Sequence, residues 1–357
     1  MRAIAVRRDQ SDPQLLDVPK PTPESGEALV RTLRVGIDGT DHEVIEGNHG
    51  GFPGDADYQI LGHEAVGVVE EPNGTRFDAG DLVVPAVRRP SDPEADNRYF
   101  ERGEPDMAPD GQYVERGIVG EHGYMADYFT SHESFLLGVP DAFAETGFLV
   151  EPISNTEKAL EHAYASRSAF EWQPESAMVL GNGPLGLLTL AMLVESDDFE
   201  RCYCLGRRDR PDPTVEIIER LGATYVDSRE TPLADVPDAY EPMDFVYEAT
   251  GYAPHAFETI EALAPNGVGA LLGIPSDGSV ELDGGRLHRE LVLENKALVG
   301  SVNSNVAQYE AATESLASFP DWFTDALVTG IHGPEEVEQA FETGDNVIKS
   351  VVEFDAV

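Results

Sequence analysis

Residues 179–193 read "VLGNGPLGLLTLAML", and this stretch decides the fold of the second half of the chain. Its glycines, Gly181, Gly183 and Gly186, form the pattern G-x-G-x-x-G at the end of an apolar strand. Pro184 suits the first turn of the helix that follows. Glycines in such a turn let the backbone approach a pyrophosphate, which rests on the helix N-terminus. The stretch therefore predicts a dinucleotide site.

Strand and helix patterns alternate around this turn. Six apolar segments have the length of buried strands and are separated by helical segments: "AMVLG", "RCYCLG", "ATYVD", "DFVYEATG", "VGALLGI" and "KALVGSV". Strands joined by helical crossovers predict an α/β fold with a doubly wound parallel sheet of the Rossmann type. We assign residues 155–306 to this nucleotide-binding domain.

Residues 1–154 read as β-rich instead. Short apolar pieces such as "RAIAV" and "DLVVPAV" are broken by Gly, Pro, Asn and Asp, which predicts an antiparallel barrel or sandwich. The tail, residues 307–357, returns to a helix and a final strand or two. We group it with residues 1–154 in one catalytic domain.

The charge balance is extreme. The chain has 67 acidic and 24 basic residues and a net charge of −43, while 41% hydrophobic and 8% aromatic residues argue against disorder. We predict a folded protein from a halophilic source, whose acidic surface needs salt to screen its self-repulsion. Because no basic stripe is present to neutralise phosphates, nucleic acid is excluded as a partner.

No segment predicts a membrane span or secretion. The longest apolar run, residues 185–194, has about half the length that crossing a bilayer needs. The first residues, "MRAIAVRRDQ", lack the apolar core of a signal peptide. Cys202 and Cys204 lie two apart in a predicted strand, which indicates buried strand residues and no disulfide framework. We predict a cytoplasmic protein with no membrane partner.

The end of the second predicted strand, "YCLGRRDR", indicates which dinucleotide is preferred. NAD-selective sites place an acidic residue here to bind the ribose hydroxyls. The chain has Gly206 instead, followed by Arg207 and Arg208, whose guanidinium groups suit a 2′-phosphate. The alternative is that both arginines are solvated surface residues. We predict NADP as the cofactor, with NAD possible.

Three separated segments carry side chains that suit a metal ion. His63 lies in "LGHEAVG", Asp38 precedes it in "GIDGTD", and Glu151 opens a helical segment. A lone histidine is more often a core or turn residue. Three ligands from three elements, with a fourth position open, are typical of catalytic zinc.

Five motifs together carry a family resemblance: "GIDGTDHEVI", "LGHEAVGVV", "AGDLVVP", "GYMADYF" and "GNGPLG". Over essentially its whole length the chain resembles the zinc-dependent medium-chain dehydrogenase/reductases, and within them the haloarchaeal glucose dehydrogenases. The resemblance implies a GroES-like β-barrel for the catalytic domain. Where that superfamily usually has a cysteine, this chain and the haloarchaeal members have an aspartate, Asp38, which implies an altered zinc site and not a lost one.

The resemblance implies one catalytic zinc held by Asp38, His63 and Glu151, directly or through water. Glu64 is a further candidate ligand, with an ion-paired or helix-capping glutamate as the alternative. A carboxylate is harder than a thiolate, so manganese or magnesium is conceivable. Residues 88–111 lack the four cysteines that hold a structural zinc in many relatives, so none is expected.

Further roles are implied by the same resemblance. Thr40 relays the substrate proton, and Thr40, Glu115, Glu151 and Asn303 bind the sugar; the alternative for Glu115 is a solvated surface acid. His42, His49 and His122 have no assigned role. The motif and the resemblance together imply these dinucleotide contacts: Gly181, Asn182, Gly183, Pro184, Leu185, Gly186, Arg207, Arg208, Leu272, Gly273, Ile274, Ser301, Val302 and Asn303.

The expected reaction is zinc-dependent oxidation of the C1 hydroxyl of D-glucose to gluconolactone, with hydride transfer to NADP+. The main rival is another sugar, polyol or secondary-alcohol dehydrogenase of the same superfamily. A rival from a different class is a non-catalytic dinucleotide-binding protein. Relatives pair through the edge of the Rossmann sheet, and the apolar "KALVGSV" predicts a homodimer.

Overall fold

The computed structural model describes residues 1–8, 10, 12–196 and 198–356. The chain divides into two compact units. The first unit comprises Met1–Ser154, Asn303–Ala317 and Thr324–Val357, and the second unit comprises Asn155–Val302 and Ser318–Phe323. Within the described residues, no helix has the length and apolar character needed to cross a membrane.

The strands of the described chain are β1 (Arg2–Arg7), β2 (Gln14–Asp17), β3 (Glu27–Ile37), β4 (Tyr58–Ile60), β5 (Glu64–Glu71), β6 (Leu82–Pro85), β7 (Arg88–Pro90), β8 (Tyr113–Arg116), β9 (Gly120–Glu121), β10 (Tyr128–His132), β11 (Leu136–Gly138), β12 (Ser176–Leu180), β13 (Arg201–Gly206), β14 (Thr224–Asp227), β15 (Met243–Glu248), β16 (Leu263–Leu271), β17 (Ala297–Gly300), β18 (Val328–His332) and β19 (Lys349–Glu353). The helices are α1 (Gly39–Glu46), α2 (Arg98–Glu101), α3 (Val150–Arg167), α4 (Pro184–Glu195), α5 (Pro213–Arg220), α6 (Val236–Ala239), α7 (His255–Ala262), α8 (Gly284–Leu293), α9 (Val306–Ser318), α10 (Asp321–Leu327) and α11 (Val337–Ala340).

The second unit contains the predicted doubly wound sheet. Its strands lie in the order β14-β13-β12-β15-β16-β17, and every neighbouring pair is parallel. The order reverses between β12 and β15, and ligands of such sheets bind outside the carboxyl ends of the strands at that point. The glycine-rich turn directly follows β12, so the topology places it where a dinucleotide would bind. Cys202 and Cys204 lie buried in β13 as unpaired thiols, as predicted.

The first unit is built on one large sheet in the order β11-β6-β5-β3-β19-β18, with β10 also paired to β3. Most pairs are antiparallel, as predicted, but β18 and β19 run parallel because α11 forms a crossover between them. The register positions the candidate site. Gly36 of β3 pairs with Glu64 of β5, and Ile37 pairs with Ser350 of β19. The end of β3 and the starts of β5 and β19 therefore meet.

Residues 88–111 form an ordered lobe without cysteine ligands. They contain β7, α2 and a short 3-10 helix, Pro105–Met107. Arg88 is buried at the base of the lobe, donates to the carbonyl of Asp106 at 2.8 Å, and lies 3.7 Å from the ring centroid of Tyr113. A buried guanidinium thus links the base of the lobe to Asp106 and Tyr113.

Candidate active site

Asp38 joins the end of β3 to the start of α1. Its carboxylate accepts a hydrogen bond from the backbone N–H of Asp41 at 3.1 Å, and the carboxylate of Asp41 accepts from the N–H of Asp38 at 3.1 Å. This reciprocal capping box fixes both side chains at the positive end of the helix. Burial opposes ionisation of Asp38, but the nearby His63 outweighs it and holds the pKa of the Asp38 carboxyl well below its usual range.

His63 is buried and faces Asp38. Its Nε2 lies 3.5 Å from Oδ2 of Asp38, and its Nδ1 has no hydrogen-bond partner among the described residues. Gly62 has a φ of +84°, and a Cβ there would lie 2.6 Å from the side chain of Met125, so only glycine fits before the histidine. The N–H of Gly62 donates to Oδ1 of Asp41 at 3.0 Å. One carboxylate, Asp41, therefore ties together the turns that carry Asp38 and His63.

Glu64 and Glu151 complete the cluster. Glu64 begins β5 and forms a buried ion pair with Lys349, the first residue of β19. Glu151 is buried in the first turn of α3. Ligand atoms of His63, Glu64 and Glu151 lie within 4.8 Å of one another, as do those of Asp38, Asp41 and His63. The structure thus brings together all four residues predicted to hold a metal, as two groups that share His63.

The cluster is rich in negative charge. Burial raises the pKa of Asp41 to about 7, and it also raises the pKa of Glu64 despite the ion pair with Lys349. Burial would lower the pKa of His63, but Asp38 outweighs it and raises that pKa well above its ordinary value. Buried carboxylates with too little compensating positive charge, around an imidazole with an unpartnered nitrogen, fit a divalent cation with oxygen and nitrogen ligands.

Two predicted sugar-binding residues also meet in the first unit. Glu115 lies on β8, is only 8% exposed, and is not the solvated surface acid of the alternative reading. Its Oε1 accepts from Nε of Arg88 at 2.9 Å and from Nδ2 of Asn303 at 3.1 Å. Asn303 has a φ of +57° and accepts from the N–H of Ser304 at 2.8 Å, which aims its amide at Glu115. Thr40 lies partly exposed in the first turn of α1, two residues after Asp38.

In the second unit, glycine is needed at the three glycine positions of the turn after β12 for different physical reasons. Gly181 has a φ of +109°, and a Cβ at Gly186 would lie 1.9 Å from the carbonyl oxygen of Gly181. Both are required by the turn itself. Gly183 is the N-cap of α4, and a Cβ there would meet nothing within 4 Å. The protein alone does not require glycine at Gly183, whereas a pyrophosphate against the helix N-terminus does.

Gly206 is required by packing as well as by charge. A Cβ there would lie 2.6 Å from Oδ1 of Asn182, whose Nδ2 donates to Oγ1 of Thr214 at 2.6 Å. Arg207 is exposed and forms no ion pair with any described residue. Arg208 has Oδ2 of Asp212 3.9 Å from its Nε, and its backbone N–H donates to the hydroxyl of Tyr225 at 2.7 Å. Arg207 thus carries the less compensated charge.

The remaining predicted cofactor residues lie at the carboxyl ends of β16 and β17. Ser301 donates its N–H to the carbonyl of Leu271 at 3.0 Å, while its buried Oγ has no hydrogen-bond partner in the described chain. Ile274 and Val302 are 59% and 49% exposed, which is high for apolar residues of this size. Leu272 and Gly273 both donate their N–H groups to the carbonyl of Glu248. Apolar surface beside a buried unpartnered hydroxyl suits an amphipathic ligand.

Two residues that contact the cluster, Asp41 and Lys349, were missed by sequence reasoning. Asp41 carried a signal, because an acid three residues after Asp38 completes a capping box. Lys349 carried another signal. It is one of few lysines in the chain and begins the strand-like segment "KSVVE", whose next three residues are uncharged.

Among the histidines without a role, His122 stacks on Tyr58 and accepts a hydrogen bond from the N–H of Ile60 at 3.2 Å, which is a structural contact.

Comparisons with known proteins agree with these features. The alcohol dehydrogenase GroES-like domain family matches residues 24–141, and the glucose dehydrogenase C-terminus family matches residues 144–354. The chain is 64% identical to glucose 1-dehydrogenase of Haloferax mediterranei and 63% identical to that of Haloarcula marismortui, each covering 100% of both chains.

Solved structures give the same result. The chain covers 100% of the Haloferax mediterranei glucose dehydrogenase in complex with NADP, Zn and gluconolactone, with a TM-score of 0.98 and 64% identity. It matches the D38C mutant of that enzyme with the same TM-score and identity. The resemblance seen in the motifs is confirmed: the chain belongs to the glucose 1-dehydrogenase family of the zinc-dependent medium-chain dehydrogenase/reductases.

Proposed function

We propose that this chain oxidises the C1 hydroxyl of D-glucose to gluconolactone, with zinc and NADP+ as cofactors. The observation that carries the proposal is the buried, acid-rich cluster around His63. The Haloferax mediterranei relative, 64% identical over its full length, has been solved with NADP, Zn and gluconolactone. A protein that only bound a dinucleotide would have no reason to keep such a costly arrangement of buried charges.

Zinc, when bound, supplies a Lewis acid that lowers the pKa of a sugar hydroxyl, and NADP+ supplies the hydride acceptor. Asp38, His63 and Glu151 would hold the metal, with Glu64 as a further candidate. The two carboxylates of Asp38 and Glu151 balance the charge of a divalent ion, as a thiolate and a carboxylate would. Asp41 keeps Asp38 and the Gly62 turn in register.

The sugar would be oriented by Glu115 and Asn303. The carboxylate of Glu115 accepts hydrogen bonds from neighbouring hydroxyls, and the amide of Asn303 both donates and accepts, which suits a polyol. The Arg88 guanidinium keeps Glu115 in place through its bond at 2.9 Å. Thr40, partly exposed and close to Asp38 in the chain, would accept the proton of the C1 hydroxyl and pass it towards solvent.

The function is tested by steady-state assays of the purified protein in concentrated salt. We expect reduction of NADP+ with D-glucose, slower turnover of other aldoses, and little with secondary alcohols. Elemental analysis is expected to give one zinc per chain. Brisk secondary-alcohol oxidation without aldose activity would favour the rival dehydrogenase. Dinucleotide binding with neither zinc nor turnover would favour the non-catalytic protein.

Cofactor preference is tested at Arg207. Replacing it by alanine removes charge-assisted hydrogen bonds to the 2′-phosphate, so we expect the KM for NADP+ to rise about 10- to 100-fold. The KM for NAD+ should stay unchanged. Arg229→Ala is the matched control, because that exposed arginine is already paired with Asp209 and Asp227. Equal effects on both dinucleotides would show that Arg207 is an ordinary surface arginine.

A homodimer is part of the proposal. Strand β17 is the edge of the sheet in the second unit, and its first three residues are only partly buried. Leu293 and Val292, just before it, are 72% and 61% exposed. An apolar edge of this kind suits pairing with a second copy of the chain.

We also propose a salt-rich cytoplasm as the location of the protein, because a net charge of −43 needs counter-ions to screen it.

A further inference from the structure

Glu248 is a buried acid that the proposed chemistry does not use. It is the last residue of β15, at the carboxyl edge of the sheet, and β15 is the neighbour of β12 at the point where the strand order reverses. The glycine-rich turn follows β12 at the same edge. An anionic dinucleotide bound there is repelled by a nearby carboxylate, so its presence calls for a physical reason.

The carboxylate of Glu248 accepts hydrogen bonds from the turn that follows it. Oε1 accepts from the N–H of Thr250 at 2.7 Å and from its hydroxyl, and Oε2 accepts from the N–H of Gly251 at 3.4 Å. Nδ1 of His255 lies 3.0 Å from the Thr250 hydroxyl. Burial opposes ionisation, but His255, whose Nδ1 lies 3.8 Å from Oε1, and the hydrogen bonds from the turn outweigh it and keep the pKa of Glu248 below its usual value.

That turn contacts the two loops expected to line the cofactor. The methyl group of Thr250 lies 2.9 Å from where a Cβ would stand at Gly181. A Cβ at Gly273 would lie 2.0 Å from the backbone nitrogen of Gly251 and 2.7 Å from Oε2 of Glu248. Because the turn at Thr250 and Gly251 is packed directly against the loops that carry Gly181 and Gly273, a shift of the turn displaces those loops.

We propose that Glu248 is a positioning residue for dinucleotide binding, which holds the two cofactor loops at Gly181 and Gly273 in register at the cost of some repulsion. The inference rests on the proposed function, since it requires that the chain bind NADP. The carboxylate acts through Thr250 and Gly251 and touches no reacting atom. Its loss should therefore weaken cofactor binding and leave the chemical step unchanged.

The test is Glu248→Gln, with NADPH affinity measured by fluorescence titration of the full chain in concentrated salt. The amide replaces one acceptor by a donor that faces the N–H of Gly251 or of Thr250, so we expect the Kd to rise about tenfold, with kcat unchanged at saturating NADP+. If repulsion between the Glu248 carboxylate and the dinucleotide were the main effect, Glu248→Gln would instead lower the Kd. Tighter binding, or an unchanged Kd, would overturn the proposal.

Glu241→Gln is the matched control. Glu241 lies just before β15 at the opposite edge of the sheet and accepts from Arg201 at 2.6 Å and from Tyr203 at 2.7 Å. Its variant should lose stability without losing NADPH affinity. Should Glu248→Gln not fold, Thr250→Val is expected to weaken binding and Thr250→Ser to retain it; equal affinities would contradict the inference. A parent protein that binds no NADPH would instead refute the proposed function.

Discussion

Replacing Asp38 by alanine should lower kcat/KM for glucose about 100- to 1,000-fold, because the cluster loses a ligand for the ion that polarises the substrate. The same change should weaken zinc binding, measured by competition with a chelator. It also removes the N-cap of α1, whose loss costs about 1 kcal/mol of stability. Full turnover and zinc content in Asp38→Ala at saturating zinc would refute the metal role.

Two further variants separate the ligand role of Asp38 from its capping role. Asn at this position still caps the helix but lacks the negative charge, so Asp38→Asn should keep the stability of the parent and lose zinc affinity. Cys supplies a thiolate but is a poor cap, so Asp38→Cys should keep zinc and lose stability. The corresponding D38C form of the Haloferax mediterranei enzyme has been crystallised. If Asp38 were only a helix cap, Asp38→Asn would keep its zinc affinity as well as its stability.

Replacing Lys349 by methionine should have the largest effect on stability. Lys349 and Glu64 have side chains only 1% and 2% exposed, and removing one partner leaves a buried charge without compensation. We expect a loss of about 3–5 kcal/mol in the free energy of unfolding, measured with denaturant. Lys20→Met is the matched control: Lys20 is exposed over the ring of Tyr128, and its loss should cost about 1 kcal/mol or less.

The pH dependence of the Lys349→Met variant follows from the pKa of Glu64. That pKa is already raised above the ordinary value of 4.5 by burial, and losing Lys349 raises it further. The native state then binds a proton that the unfolded chain has released, so stability falls as pH rises above 4.5 and recovers as pH falls. Adding Glu64→Gln should remove most of the deficit at neutral pH. A deficit independent of pH, or not relieved by the double substitution, would point to packing alone.

Local patterns were enough to predict much of this molecule. The Rossmann sheet and the turn at Gly181 depend on residues adjacent in sequence, as does the N-terminal strand pattern. Asp38 and His63 were predicted because each lies in a recognisable motif. The register of β3, β5 and β19, which brings Glu64 to Lys349, depends on pairing between distant segments and leaves little local signal. It could not be predicted from spacing.

Glu115 shows a second limit. In a chain with 67 acidic residues, a single glutamate on a short strand looks like one more surface acid. It is buried, and Arg88 and Asn303, both distant in sequence, donate hydrogen bonds to it. In so acidic a chain, the sequence alone does not distinguish the few buried acidic residues from the many on the surface.

The capping box between Asp38 and Asp41 has a consequence for how the protein responds to salt. Its two bonds join backbone N–H groups to fixed carboxylates and are partly buried, while the bond from Gly62 to Asp41 is buried. Dissolved ions weaken attraction between groups in contact with water and hardly reach such internal bonds. We therefore expect salt to change the fraction of folded molecules more than it changes the arrangement of Asp38, Asp41 and Gly62 within each folded molecule.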